Sequence, residues 1–132
     1  MKFLLDTNIC IYLIKRKPPQ VLKKFQTFKV NDLGLSAITL AELEFGVQLS
    51  SYPEKNQEAL NEFVTPLEIV PFDDRAAISY GELRAYLQKR GINIGAMDML
   101  IAAQAKSLSI PLVTNNLKEF KRIPGLRLEN WV

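Results

Sequence analysis

The stretch Lys2-Phe3-Leu4-Leu5-Asp6-Thr7-Asn8 constrains this chain more than any other. Three apolar residues without alternation run straight into one carboxylate, and polar residues follow at once. A short continuous apolar run reads as a strand buried on both faces, as in the middle of a parallel sheet. The carboxyl end of such a strand opens on the crevice where open α/β sheets bind ligands. Asp6 therefore stands where a reactive group belongs. It needs partners from the rest of the chain; without them it is a turn residue.

Downstream, strands and helices alternate. Asn8 to Ile14 reads as a short helix, followed by basic Lys15-Arg16-Lys17 and a break at Pro18-Pro19. A second helix runs from there to about Phe28, with Val21, Leu22, Phe25 and Phe28 as its apolar stripe. Leu33 to Ser36 is a strand, and Ser36 caps a helix reaching Leu49. Pro53 opens a helix that ends before Pro66, and Leu67 to Val70 is the next strand. Asp73 or Asp74 caps a long helix with Ala76, Tyr80, Leu83 and Leu87 on one side, stopped at Gly91. Met97 to Leu108 is apolar on most sides and should be a buried helix. Pro111 to Thr114 is a strand, Leu117 to Phe120 a single turn, and Leu126 to Leu128 an edge strand. The expected fold is a single α/β domain over residues 1–132, with helices covering both faces of a mostly parallel sheet.

The residue inventory narrows the chemistry. Among 132 residues there is no histidine, which rules out Ser-His-Asp and Cys-His triads and histidine-based zinc sites. Cys10 is the only cysteine, so neither an internal disulfide nor a cysteine-rich metal site can form, and a reducing cytoplasm is the expected setting. No apolar run approaches the roughly 20 residues of a membrane span, and no signal peptide is expected. A net charge of +3 permits a polyanionic partner without demanding one. Hydrolytic chemistry here must come from carboxylates, most simply with a hard metal ion.

The informative acids are those that interrupt apolar faces. On a helix beginning at Ser36, Ile38, Ala41, Phe45 and Leu49 share one side, taken as the core face, and Glu42 falls in the same arc. Glu44 projects toward water. Asp98 shares a face with Ile101, Ala102 and Ala105. Alone, Glu42 fits a core-edge residue satisfied by a backbone amide, and Asp98 fits a first-turn aspartate complementing its helix dipole. Asp73 and Asp74 fit capping, and Asp32 fits a turn. Three inward carboxylates weigh differently, because unpaired buried charges are costly and like charges raise one another's pKa. Asp6, Glu42 and Asp98 can share a pocket only with a cation or a shared proton, and an all-oxygen site suits Mg²⁺ or Mn²⁺. Such an ion activates water and stabilises charge on a phosphoryl oxygen, so the residues point to a metal-dependent phosphodiesterase.

Leu5-Asp6-Thr7-Asn8, Ser36-Ala37-Ile38-Thr39-Leu40-Ala41-Glu42-Leu43, Asp98-Met99-Leu100-Ile101-Ala102 and Val113-Thr114-Asn115-Asn116 with Phe120 occur in an order and spacing that resemble the PIN-domain family. The resemblance covers nearly the whole chain. It is strongest to the VapC toxins of bacterial VapBC toxin–antitoxin pairs, one branch of which has a similar ending from Phe120 to Trp131. It implies a three-layer α/β/α fold with four to five strands and a Mg²⁺- or Mn²⁺-dependent endoribonuclease that blocks translation. The implied substrate is tRNA cut in the anticodon loop, with initiator tRNA leading. Asp6, Glu42 and Asp98 match the family's metal-binding acids. The fourth family acid falls on Asn116, a neutral oxygen ligand, which leaves the number of metal ions open and makes Glu119 a nearby substitute. Thr114, Ser36 and Asn8 are supporting candidates, with strand-end or capping roles as the plain alternative for Thr114 and Ser36. Lys15, Arg16, Lys118 and Arg122, with Lys17 and Lys121 beside them, are candidates for phosphate contact, against an ordinary solvated face.

The resemblance further implies a cognate VapB-type antitoxin lying across the toxin, a homodimer within a larger assembly, and contact with operator DNA only through the antitoxin. No membrane partner is expected. Tyr12, Phe25, Phe28 and Tyr52 are candidates for the antitoxin groove, with helix packing as the alternative. Rival readings fit less well: receiver domains and Asp-x-Asp phosphatases need a second acid beside the first, where this chain has Thr7-Asn8. A flap-type DNA nuclease needs more acids and inserted elements. A non-catalytic binding module of the same fold stays open because of Asn116.

Overall fold

The computed structural model describes residues 1–132. Five short strands, β1 (Phe3–Leu5), β2 (Leu33–Ser36), β3 (Glu68–Val70), β4 (Leu112–Val113) and β5 (Leu128–Glu129), form one sheet in the order β3-β2-β1-β4-β5. Every pairing is parallel. Seven helices connect and cover them: α1 (Thr7–Lys15), α2 (Pro19–Gln26), α3 (Ala37–Leu49), α4 (Pro53–Val64), α5 (Asp74–Lys89), α6 (Ala96–Leu108) and α7 (Leu117–Phe120). The elements match the sequence expectation closely. The last strand lies slightly later than its apolar residues suggested, and a single 3-10 turn at Val30–Asp32 leads into β2.

The pleat explains the layers. Successive strand residues point to opposite faces, so Leu5, Leu33, Leu35 and Val113 pack with α1 to α4 on one side. Leu4, Val70 and Leu112 pack with α5, α6 and Phe120 on the other. The result is the expected three-layer α/β/α arrangement, with all five strands parallel. Phe3, Phe28 and Trp131 close one flank, the Phe28 and Trp131 rings stacked at 5.4 Å. Gly34 leaves room in β2: a Cβ there would run into Met1 Sδ and crowd the carbonyl oxygen of Glu68 on the neighbouring strand at 3.0 Å.

Strand order fixes where a site can form. The chain steps outward from β1 to β2 to β3, then crosses back to place β4 on the other side of β1. The direction of winding reverses between β1 and β4, and ligands bind at the carboxyl ends of strands at such a switch point. Asp6 follows β1 and Thr114 follows β4.

One expectation is overturned. The core face of α3 is Thr39, Leu43 and Val47, whereas Phe45 is 66% and Leu49 is 74% exposed. Ala41 is exposed as well. The helix is apolar on several sides, and the stripe that meets the sheet is the one containing the small polar Thr39. Glu42 sits at the boundary of the buried face, half-buried, while Glu44 is exposed as expected. Of the suggested groove aromatics, Tyr12, Phe25 and Phe28 pack against the first core and only Tyr52 is exposed.

Candidate active site

Asp6 ends the central strand and begins α1. Its backbone is extended, its main-chain N–H donates to the carbonyl of Val113 at 2.9 Å, and its carbonyl accepts from Cys10. The side chain is only 3% exposed. One carboxylate oxygen accepts from the Thr7 amide at 2.8 Å, and the other accepts from the Thr114 hydroxyl at 2.7 Å. The Thr114 hydroxyl in turn accepts from the Asn116 amide at 2.9 Å. The two sides of the switch point are thus joined through one carboxylate. Burial raises the Asp6 pKa; the bonds from Thr114 and Thr7 pull it back, and the charge of Glu42 raises it further.

Glu42 faces the same region from α3. Its carboxylate accepts from the Thr7 hydroxyl at 2.5 Å, and Thr7 also lies 3.3 Å from the Thr39 hydroxyl. Asp98, in the first turn of α6, is held up to about 6, first by burial and then by the negative charges of Asp6, Glu42 and Glu119. Each of the three acids picked out in the sequence therefore acts electrostatically within one region. Glu119 joins them, paired with Arg122.

The remaining candidates are placed as follows. Asn116 stands at the N-cap of α7 without a side-chain capping bond. Ser36 caps α3 by accepting from the Ile38 amide at 3.0 Å. Asn8 is exposed on α1. Lys15, Arg16 and Lys17 are exposed at the far end of α1, about 13 Å along the helix from Asp6. Lys15 nonetheless lines a groove of about 420 Å³ between α1, α3 and α4 that reaches Glu42. Lys118 is exposed, and Arg122 is occupied by Glu119 and by the carbonyl of Asn93. Asp73 caps α5, as expected. Cys10 is fully buried, and burial together with Asp6 pushes its thiol far up, so it remains an inert thiol.

Thr7 and Thr39 were not singled out in the sequence. The signal for Thr7 was its place beside Asp6; Thr39 carried none, because its contact crosses from one helix to another.

The donor set fits a small hard cation. It is all oxygen, it carries excess negative charge, and it sits at the end of a rigid central strand. No three acidic side chains converge tightly enough to enclose an ion by themselves. Mg²⁺ does not require that, since it keeps several waters and uses one or two carboxylates. Asp6 and Asp98, with Glu42 and Glu119 nearby, match that demand.

The chain is similar to known proteins over its whole length. The PIN domain profile matches residues 3–126. The chain is 46% identical over 132 residues to the Ribonuclease VapC2 of Rickettsia felis, covering 99% of this chain and 98% of that protein. It is 43% identical over 131 residues to the tRNA(fMet)-specific endonuclease VapC of Salmonella typhimurium, covering 99% and 98%. Its fold superposes on a chain in the crystal structure of VapBC2 from Rickettsia felis bound to a DNA fragment from their promoter, with a TM-score of 0.94, 44% identity and 100% coverage of both chains. An acid at the switch point, further acids brought to it from helices on both layers, and likeness of this extent over the whole length place the chain in the PIN-domain family and, within it, among the VapC proteins.

Proposed function

We propose that this chain is the toxin of a type II toxin–antitoxin pair, an endoribonuclease that depends on Mg²⁺ or Mn²⁺ and inhibits translation by cutting tRNA. The anticodon loop of initiator tRNA is the leading substrate, in line with the tRNA(fMet)-specific relative. The observation that carries this reading is the buried Asp6, braced by Thr114 across the switch point, with Asp98 held up to about 6 first by burial and then by the acids around it. A divalent cation bound there supplies Lewis-acid polarisation of a phosphoryl oxygen and lowers the pKa of water.

The protein's own groups do the rest. Asp6 and Asp98 would hold the cation, with Glu42 and Glu119 adding negative charge. Thr114 fixes the orientation of Asp6, and Thr7 that of Glu42. Asn116 contributes a neutral oxygen where the family pattern has an acid, and Glu119, whose charge already acts on Asp98, makes up for it. With no histidine in the chain, proton transfer falls to water and these carboxyls.

The partner is a VapB-type antitoxin, since the matching Rickettsia felis structure is a VapBC complex on promoter DNA. The groove lined by Ile11, Ile14, Leu43, Val47 and Leu60 offers an apolar seat beside Glu42. Contact with operator DNA then belongs to the antitoxin. A homodimer would cover the stripe that α3 leaves exposed at Phe45 and Leu49.

Incubating the antitoxin-free protein with total tRNA in Mg²⁺, Mn²⁺ or EDTA tests this reading. Discrete fragments ending in one anticodon loop, absent in EDTA, are the expected result. Intact tRNA under all conditions from a folded protein would favour a binding module instead.

The exposed lysines give a second expectation. Lys15 lines the groove that reaches Glu42, Lys118 follows Asn116 on α7, and both contact phosphates in this reading. Each Lys→Ala change should weaken tRNA binding across sequences and lower the slope of log affinity against log salt by roughly 0.7–0.9. Filter binding in EDTA from 50 to 200 mM salt (on the order of the range over which such slopes are resolved) measures it. Unchanged slopes in both variants would return these residues to an ordinary solvated surface.

A further inference from the structure

We propose that Gln104 is a positioning residue: its buried amide ties the helix carrying Asp98 to the start of the helix carrying Glu42, and so sets the spacing at which the acids hold their cation. This rests on the metal-dependent reading above.

Gln104 is 1% exposed, one of the few polar side chains in the interior. Its amide nitrogen donates to the carbonyl of Pro71, just past β3, at 2.8 Å. Its amide oxygen accepts from the hydroxyl of Ser36, the last residue of β2 and the cap of α3. One side chain from α6 thus grips the carboxyl ends of two strands, and one of those ends launches the helix bearing Glu42.

The remaining buried surface of α6 is Ile101, Ala102, Ala103 and Ala105. Three of these four are alanines, which leave the face smooth beside the single bulky Ile101, and apolar attraction has no direction. Packing alone therefore sets the distance of α6 from the sheet better than its position along its own axis. Hydrogen bonds supply the missing specification, because they weaken steeply as their angle departs from linear. A slide of α6 would strain both hydrogen bonds at once, and the one from Ser36 is fully buried, where a lost partner is not replaced by water.

Asp98 lies six residues earlier on the same helix, about 9 Å along its axis, so the helix carries that fixed position to the carboxylate. Functional constellations tolerate roughly 0.5 Å of misplacement. A residue needed only to fill space could be apolar; a buried amide with both ends bonded is what a defined position requires.

The test is Gln104→Leu, which keeps the approximate volume and removes both bonds. Calorimetric titration of the antitoxin-free protein with MnCl₂ reads the cation directly, and tRNA binding in EDTA reads the remaining surface. Mn²⁺ affinity should fall by roughly 10- to 100-fold, the range for groups that orient metal ligands, with tRNA affinity changed by less than about twofold. Val21→Ala, a cavity in the buried face of α2 far from this brace, controls for loss of stability and should keep wild-type Mn²⁺ affinity. Ser36→Ala removes one of the two bonds, together with the cap on Ile38, while leaving Gln104 in place, and should weaken Mn²⁺ binding in the same direction, with the combined loss in the double variant smaller than the sum of the two. If Gln104→Leu does not fold, Gln104→Met, which also removes both bonds, decides in its place. Wild-type Mn²⁺ affinity in the deciding variant overturns the proposal, as does a wild-type protein that binds no Mn²⁺. A protein that binds Mn²⁺ but leaves tRNA intact sinks the ribonuclease reading and leaves the brace standing.

Discussion

Asp98→Asn protein binds tRNA as tightly as the wild type and cuts it at least about a hundredfold more slowly. The floor comes from metal sites in general, where even groups that only orient the ligands cost roughly 10- to 100-fold. Asp98 is half-buried in the first turn of α6, surrounded by the charges of Asp6, Glu42 and Glu119. Asn keeps the shape and removes the charge that a cation needs. The loss should therefore appear in the cutting step and leave tRNA binding in EDTA unchanged. Asp6→Asn should do the same. Its carboxylate also anchors the bonds from Thr7 and Thr114, so its effect mixes chemistry with structure. Single-turnover cleavage beside filter binding separates the two. Equal losses of binding and cutting would mean that these residues hold RNA and do not act on the phosphate.

The same substitution should make the metal-free protein more stable. A carboxyl held at about 6 against an ordinary 3.8 disfavours the folded state whenever it must ionise. The ceiling at pH 7 is about 3 kcal/mol, and solvent screening of a half-buried group reduces it to roughly 1–2 kcal/mol. Because the folded value lies above the unfolded one, the stability Asp98 contributes is fully present below about pH 4 and is lost as pH rises through about 6. The difference in melting temperature between Asp98→Asn and wild type in EDTA should thus be near zero at pH 4. It should grow to roughly 3–8 °C at pH 7 for a domain of this size. Saturating Mn²⁺ should raise the wild type and leave the variant unmoved, since only a folded site that binds the ion gains from it. An Asp98→Asn protein that melts lower at pH 7 would give Asp98 the plain role of supporting its helix.

Stabilisation on losing an acid is the mark of a residue kept for its chemistry. It also explains why the site could be seen in the sequence. Asp6 was legible because three apolar residues run into it, and Asp98 because it interrupts a buried face; both signals are local. The sheet was legible for the same reason, since its strands are short apolar runs bounded by turn residues. The face of α3 was not. Ile38, Ala41, Phe45 and Leu49 compete with Leu43 and Val47 around one helix, and only packing against the sheet and the neighbouring helices, α4 foremost, decides between them. The bonds that tie the site together were beyond reach of spacing. Thr7 meets Glu42 across 35 positions and Ser36 meets Gln104 across 68, so neither pair leaves a periodic trace. Arg122 shows the converse: it reads as a free phosphate contact in the sequence, yet the fold gives it Glu119 and Asn93 as partners.

The most direct test of the central claim, that these carboxylates hold a cation with which the protein cuts RNA, is the single-turnover cleavage rate of tRNA against Mn²⁺ concentration for wild type and Asp98→Asn. The wild-type rate should rise from zero in EDTA to a plateau, and the variant should stay at least about a hundredfold below it at every concentration. Cleavage that persists in EDTA, or a variant that follows the wild-type curve, would contradict the account.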